Sequence, residues 1–442
     1  MRRRLLMLVL GLCLGLGADA WAEPGLADLY RLAEQHDTVY AAARATFEAD
    51  REYGAIGLSG LLPSLSLGLD ASRASIDRNS SLAGGSGKFD FDSRSAALSL
   101  SQSLFNLEKF KAYAEGNARV AYAAAVLAEE RQNLALRMSQ AYFDVLVAQN
   151  NLDLAIAQRN AEQAQAEQAR HLFDAGVATV TDMEESRARY QVSAAQVLLA
   201  GNVLEVSRQT LGKIVQEVPR ELGSRGPYTF TPVLPEPNDM DSWKQAARAQ
   251  NLRVLSQQAS VGIVRLQADK AYAQHYPSLE LTAQLRKERE PALFVDDETA
   301  AKIGLQLSVP LYAGGRISAE SRRSVQLVEK ARSDLETSQR DSEIAVTEAF
   351  LGVASGIAQI AALEQAVKSN EITLKGMEIG QRNGFRTNTD VLDAQRQLYE
   401  VKRDLQRERY QYLLNWLKLK AAVGSLGWAD LQAVDAMVAI GH

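Results

Sequence analysis

The chain has 442 residues, a formal charge of −5, and 46% apolar, 23% charged but only 7% aromatic residues. That length suggests two or three domains, and an acidic balance with no basic run after residue 22 gives no sign of a nucleic-acid partner. One cysteine, Cys13, and the scattered His36, His171, His275 and His442 give neither a disulfide framework nor metal-ligand spacing.

In chain order, Arg2-Arg3-Arg4, an apolar run from Leu5 to Gly17 and the small residues of Ala20-Trp21-Ala22 predict a signal peptide over residues 1–22. Cleavage would remove Cys13 and three arginines against one aspartate, leaving a more acidic mature chain. Leu12 is too bulky for the −1 position of a lipoprotein box, so an unlipidated product is expected. No later stretch holds about 18 consecutive apolar residues, so no transmembrane helix is expected either.

The first repeat spans 23–217. A helix is predicted over 38–60. Next, Leu65, Leu67, Leu69 and Ala71 alternate with Ser64, Ser66, Gly68 and Asp70, and Ala96, Leu98 and Leu100 alternate with Ala97, Ser99 and Ser101. This period of two predicts a strand hairpin over 64–104, closed by a polar loop from Asn79 to Lys88. Phe89 and Phe91 break the phase, which predicts a bulge near Ser93 to Ser95. From Leu107 to Asp174 there is no proline, enough for a helix of about 100 Å at 1.5 Å per residue. Its apolar seam steps by four and three through Leu134, Met138, Ala141, Val145, Ala148, Leu152 and Ala155, as helices packed along their length require. Gly176 suits the left-handed residue that ends a helix. A second helix over 179–217 completes the helical hairpin 107–217.

Residues 218–240 form a linker rich in proline: Pro219, Pro227, Pro232, Pro235 and Pro237. The second repeat, 241–423, follows the same plan. A helix is predicted over 253–275, then a strand hairpin over 277–311. In it Leu279, Leu281, Ala283 and Leu285 alternate with Ser278, Glu280, Thr282 and Gln284, and Ile303, Leu305, Leu307 and Val309 alternate with Lys302, Gly304, Gln306 and Ser308. Asp296-Asp297-Glu298 is read as its loop. The helical hairpin 315–423 has seams at Val346, Phe350, Val353, Ile357 and Ile360, and at Val391, Ala394, Leu398, Val401 and Leu405, with Gly384 at its turn. The tail 424–442 carries no signal. Phe105, Tyr276 and Tyr312 lie at inner strand ends, where an aromatic girdle would sit.

The repeat is explicit at the two helix turns. Asp174 to Asp182 and Arg382 to Asp390 each place a Thr-Asp pair at the same distance after a glycine, and Ala141 and Ala349 keep the same offset. A repeat this long is a duplicated half-molecule, unlike solenoid arrays with periods of roughly 20–50 residues. Two hairpins supply four strands. Four strands with open edges are not tolerated in lipid, and the smallest barrels use about eight, so the subunit must complete a barrel with copies of itself. A soluble sandwich with one polar face satisfies the alternation alone, and a soluble coiled-coil rod satisfies the helices but leaves the strands unexplained.

Several stretches resemble the TolC family of outer-membrane channels: Gly384-Phe385-Arg386-Thr387-Asn388-Thr389-Asp390-Val391-Leu392-Asp393-Ala394, Arg409-Tyr410-Gln411-Tyr412-Leu413, Leu98 to Asn106, and Val309 to Gly315. The resemblance implies an α+β membrane protein: a homotrimer with four strands per subunit in a shared 12-stranded outer-membrane barrel, continuous with a long 12-helix periplasmic barrel. It implies a passive export duct serving an inner-membrane transporter and a periplasmic adaptor. An unlipidated chain suits type I protein secretion with an ABC transporter, and drug efflux with a proton-driven pump is the alternative. A structural periplasmic rod or adaptor is the reading from a different class.

The resemblance also marks site residues. Asp390 and Asp393, at i and i+3 beyond the turn, match the family's periplasmic entrance constriction. Six carboxylates in a trimer would favour cations and, by crowding, raise some carboxyl pKa values. Arg386, Thr181 and Asp182 match positions that hold the entrance closed, with an Arg386–Asp182 bond expected, and Gln381 stands where a latch tyrosine is found. No catalytic constellation is present: Gly314-Gly315-Arg316 lacks the Lys-Ser/Thr of a phosphate loop and reads as a strand-to-helix turn. Neither enzyme activity nor a cofactor is expected.

Overall fold

The computed structural model describes residues 25–78, 87–217, 222, 231–290 and 295–439. The expected signal peptide, most of the first hairpin loop and much of the proline-rich linker lie outside them. The chain divides into two compact units.

One unit comprises Ala43–Ala128 and Leu252–Arg340. It holds an antiparallel sheet of β1 (Ser64–Arg78), β2 (Gly87–Asn106), β3 (Ser278–Glu290) and β4 (Val295–Ser308), in the order β1-β2-β3-β4. The central pairing, β2 with β3, joins the two halves of the sequence. Leu65 faces Leu100, Leu67 faces Leu98, Leu98 faces Leu285, and Ala283 faces Ile303. Every apolar set therefore falls on one face, while Ser66, Ser99, Gln284 and Lys302 line up on the other. Leu67, Leu69 and Leu305 are 66%, 75% and 66% exposed. A contiguous apolar face of this kind requires another apolar phase, and β1 and β4 each offer an unpaired edge to a further strand.

The bulge expected near Ser93 to Ser95 is absent. Ser72 pairs with Ser93 and Asp70 with Ser95 in unbroken register, and the irregularities fall instead between Ser103 and Phe105 and between Glu288 and Glu290. What changes at Ser93 is the polarity of the faces. Asp90, Asp92 and Arg94 share a face with Leu98 and Leu100, so the apolar side turns charged toward the hairpin loops. An apolar band needs to be only as tall as the hydrocarbon it meets, about 25 Å. Asp296-Asp297-Glu298 is likewise strand and not loop, with Glu298 opposite Glu288.

In the same unit α2 (Thr38–Ser59) packs on α3 (Leu107–Asp174) through glycine. A Cβ at Gly57 would lie 2.9 Å from Tyr113 Cα, and one at Gly116 would lie 2.3 Å from the Tyr53 carbonyl oxygen, so only glycine allows this approach. Along its other side α3 meets α6 (Leu252–Ala273) in a polar ladder: Lys111 to Asp269 at 2.8 Å, Lys270 to Glu115 at 2.6 Å, and Gln274 to Glu108 at 3.2 Å. Gly314 and Gly315, with φ of +63° and +82°, turn the chain after β4 into α7 (Arg316–Arg382).

The other unit contains residues up to Ala42, Glu129–Asn251 and Asp341–His442. It holds α4 (Val180–Val215), α8 (Asn388–Ala422) and the remainder of α3 and α7. The expected seams are its core: Leu134, Met138, Val145, Val346 and Val353 are fully buried, and Val391, Leu398 and Leu405 nearly so. Tyr142, Phe143 and Tyr410 stack with centroids 5.6 and 5.7 Å apart. By length and composition α7 could cross a membrane, against the expectation of no such helix. Val346 and Val353 of that stretch belong to the packing seam just described, while Ile344 and Leu351 are 57% and 54% exposed.

Three helices of this unit carry no signal recognised in the sequence: α1 (Leu26–His36), α5 (Met240–Gln250) and α9 (Trp428–Ala439). Asp435 of α9 accepts the Leu26 and Ala27 N–H groups at 2.6 and 2.7 Å, which satisfies donors at the start of α1 that have no helical partner. Arg31 stacks 4.4 Å over the Trp428 ring. On α5, Trp243 joins Val346, Ala349, Leu419 and Val423 in one apolar cluster.

Candidate functional site: the helical hairpin tips

The two tips share the same helix-stop and helix-start bonds. At the first, Gly176 (φ +75°) donates to Phe173 O at 2.9 Å and Val177 to Leu172 O at 2.9 Å. At the second, Gly384 (φ +75°) donates to Gln381 O at 3.0 Å and Phe385 to Gly380 O at 2.9 Å. This pair of bonds around a left-handed glycine is the Schellman stop. Each following helix starts with a reciprocal capping box: Thr179 with Asp182, and Thr387 with Asp390. The Thr-Asp pairs seen in the sequence are Thr181-Asp182 and Thr389-Asp390, and their aspartates close these boxes.

Capping sets the electrostatics. The Thr387 backbone N–H, then its hydroxyl, hold the Asp390 carboxyl below the ordinary aspartate value, with a further small pull from Arg386. The Thr179 hydroxyl and then its N–H do the same for Asp182. Within one subunit the Asp390 shift is therefore opposite in sign to the rise expected from crowding, because its own turn supplies the donors that favour the anion.

The Asp182 carboxylate bonds to Thr179 (3.0 and 2.6 Å), and the expected bond to Arg386 is not formed within the subunit. Arg386 and Thr181 are exposed. Gln381 donates to Asn388 Oδ1 at 3.0 Å, and Asn388 donates to Ser186 Oγ at 2.6 Å. A second set of links went unread in the sequence. Arg189 of α4 donates to Asp393 of α8 at 2.9 Å and to Glu185 at 3.0 Å, and Thr389 donates to Glu185 at 3.0 Å. The i, i+4 spacing of Glu185 and Arg189 is legible on a helix. Their partners are about 200 residues away, and nothing local indicates them.

Capped acidic turns on long paired helices, with a sheet whose one face is apolar and whose edges are open, define a membrane-inserted channel subunit. The outer membrane efflux protein family model matches residues 29–215 and 243–425. The alkaline protease secretion protein AprF of Pseudomonas aeruginosa is 31% identical over 99% of this chain and 92% of its own. The outer membrane protein TolC of Escherichia coli is 30% identical over 98% of this chain and 89% of its own. Among solved structures, the Campylobacter jejuni CmeC outer membrane channel superposes with a TM-score of 0.80 at 14% identity, covering 94% of this chain and 89% of that one. The chain belongs to the outer membrane efflux protein family, the TolC family of channels. It is an outer-membrane protein with a long periplasmic domain, and its relatives are channel proteins, not enzymes.

Proposed function

We propose that this protein is the outer-membrane exit duct of a type I protein secretion machine, working with an inner-membrane ABC transporter and a periplasmic adaptor. Channels of the family are trimeric and work with such adaptors and transporters. The observation that carries the finer reading is the full-length similarity to AprF, a protein whose name states protease secretion. Its similarity to TolC at 30% identity keeps small-molecule efflux as the second reading. The open edges of β1 and β4 are completed by neighbouring copies, and the two halves of the chain arose by duplication. Asp390 and Asp393 form the entrance constriction. Arg386, Thr181, Asp182 and Gln381 form its latch across subunits, while Asp182 and Gln381 keep their bonds within the subunit.

Deleting the gene tests the assignment. Loss of one or more proteins from the culture medium, with unchanged susceptibility to drugs and detergents, supports secretion. Sensitisation to small toxic compounds with an intact set of secreted proteins rejects it in favour of efflux.

A further inference from the structure

Above its apolar rows the sheet presents an unpaired cluster of cations on the same face. The register sets Arg94 of β2 opposite Arg289 of β3, with Lys287 one row below, opposite Ala96. These rows continue the set that holds Leu98 and Leu285. All three side chains are exposed. Among the described residues none of the three has an ion-pair partner. The contrast with the opposite face is direct, since there Arg286 is matched to Glu288 at 2.7 Å. Acids do share the outer face: Asp92, 3.9 Å from Arg73, Asp297, level with Arg289 in the irregular stretch of the β3–β4 register, and Asp90 further toward the hairpin loops.

The height of the cluster can be placed. The helices attach at the strand ends bearing Ser64, Asn106, Ser278 and Ser308. In an outer-membrane protein with periplasmic helices, the opposite ends reach the outer leaflet. From Leu279 to Arg289 is about ten steps of ~3.3 Å along a strand tilted by about 40°, a climb of about 25 Å, which is the height of the apolar band of a membrane barrel. The cations therefore stand at headgroup level. Just below them Leu65, Leu98, Leu100, Ala283, Leu285 and Ile303 line a shallow groove of about 330 Å³.

We propose that Arg94, Lys287 and Arg289 bind the phosphate groups of an anionic lipid headgroup in the outer leaflet, with an acyl chain lying along the groove beneath. Charge complementarity and continuity with the lipid-facing surface specify a lipid over a soluble anion. The long stems of these residues can lie on apolar surface while their heads stay in the polar layer.

The test uses the full-length trimer in phosphatidylcholine nanodiscs containing diphosphorylated lipid A or the same lipid dephosphorylated, with retained lipid counted by native mass spectrometry. The wild type retains the phosphorylated form preferentially. At low salt each cation contributes about a fivefold preference, so R94Q/K287Q/R289Q weakens retention on the order of 100-fold. R286Q, at a residue of the other face that does not line the groove, leaves retention unchanged. Equal retention of the two lipids by the wild type, which needs no variant, overturns the proposal. So does unchanged retention in the triple variant, or displacement by millimolar inorganic phosphate as effective as by lipid. The proposal rests on the barrel assignment, whose own failure would show separately as loss of insertion and conductance.

Discussion

Glu115 offers the most quantitative test of how the two halves of the chain hold together. Its side chain is only 6% exposed and sits between Arg119 on α3 (2.8 Å) and Lys270 on α6 (2.6 Å), with Gln267 at 3.0 Å. Burial pushes the carboxyl up, but the hydrogen bonds from Lys270, Gln267 and Arg119 outweigh it and hold the pKa at about 2 against an ordinary 4.5. That difference of about 2.5 units corresponds to roughly 3 kcal/mol at 1.36 kcal/mol per unit. Lys270 and Arg119 are 34% and 36% exposed, and solvent screening brings the figure to about 2 kcal/mol. The folded pKa is depressed, so this contribution is fully present above pH 4.5 and is lost as the pH falls toward 2. Glu115→Gln should therefore lower the melting temperature of the detergent-solubilised protein at pH 7, measured by circular dichroism. The gap between variant and wild type should close progressively below pH 4.5. A gap equally wide at pH 7 and pH 2, or none at pH 7, would refute the reasoning.

Four further outcomes are expected. Arg189→Ala frees Asp393, Glu185 and thereby Thr389. At about 1 kcal/mol for a half-exposed pair this makes an open entrance about fivefold more populated, read as higher single-channel conductance, and wild-type conductance would assign no latch role to this network. Arg386→Ala and Asp182→Ala should each enlarge conductance as well, and no change in both would reject the latch between subunits. Asp390→Ala with Asp393→Ala should abolish block by multivalent cations. Because Asp390 is held below 3.8, block in the wild type should persist on acidification to about pH 4; block surviving in the double variant would rule out the carboxylate ring. Gly116→Ala forces a methyl to within 2.3 Å of the Tyr53 carbonyl. The strain of about 1–3 kcal/mol exceeds the gain of about 1 kcal/mol in helix propensity, so thermal stability should fall, and a rise would mean the helices part freely.

The amphipathic periodicities were legible because they are local. Leu65, Leu67 and Leu69 alternate whatever they pair with, and the seam from Leu134 to Ala148 specifies a packed helix before its partner is known. Glycine at 176 and 384 marked the turns for the same reason, since only glycine takes a positive φ without strain. The strand count forced association through an equally general rule, that polar edges are not left open in lipid.

The missed helices show where such reasoning stops. α1 and α9 are short, and what holds α1 is Asp435 at the far end of the chain. The phase break at Phe89 and Phe91 could equally mark a bulge or the upper limit of the lipid band, and only the pairing with β1 separates the two. At the tips the sequence supplied the capping threonines and aspartates. It could not tell whether Asp182 would bind its own helix start or a distant arginine, nor that Arg189 would reach Asp393. The sequence by itself determined the long helices, the four strands and the need for partner subunits, all of which follow from spacing along the chain. The tertiary structure alone decided which carboxylate meets which cation, because those contacts close between segments that share no local pattern.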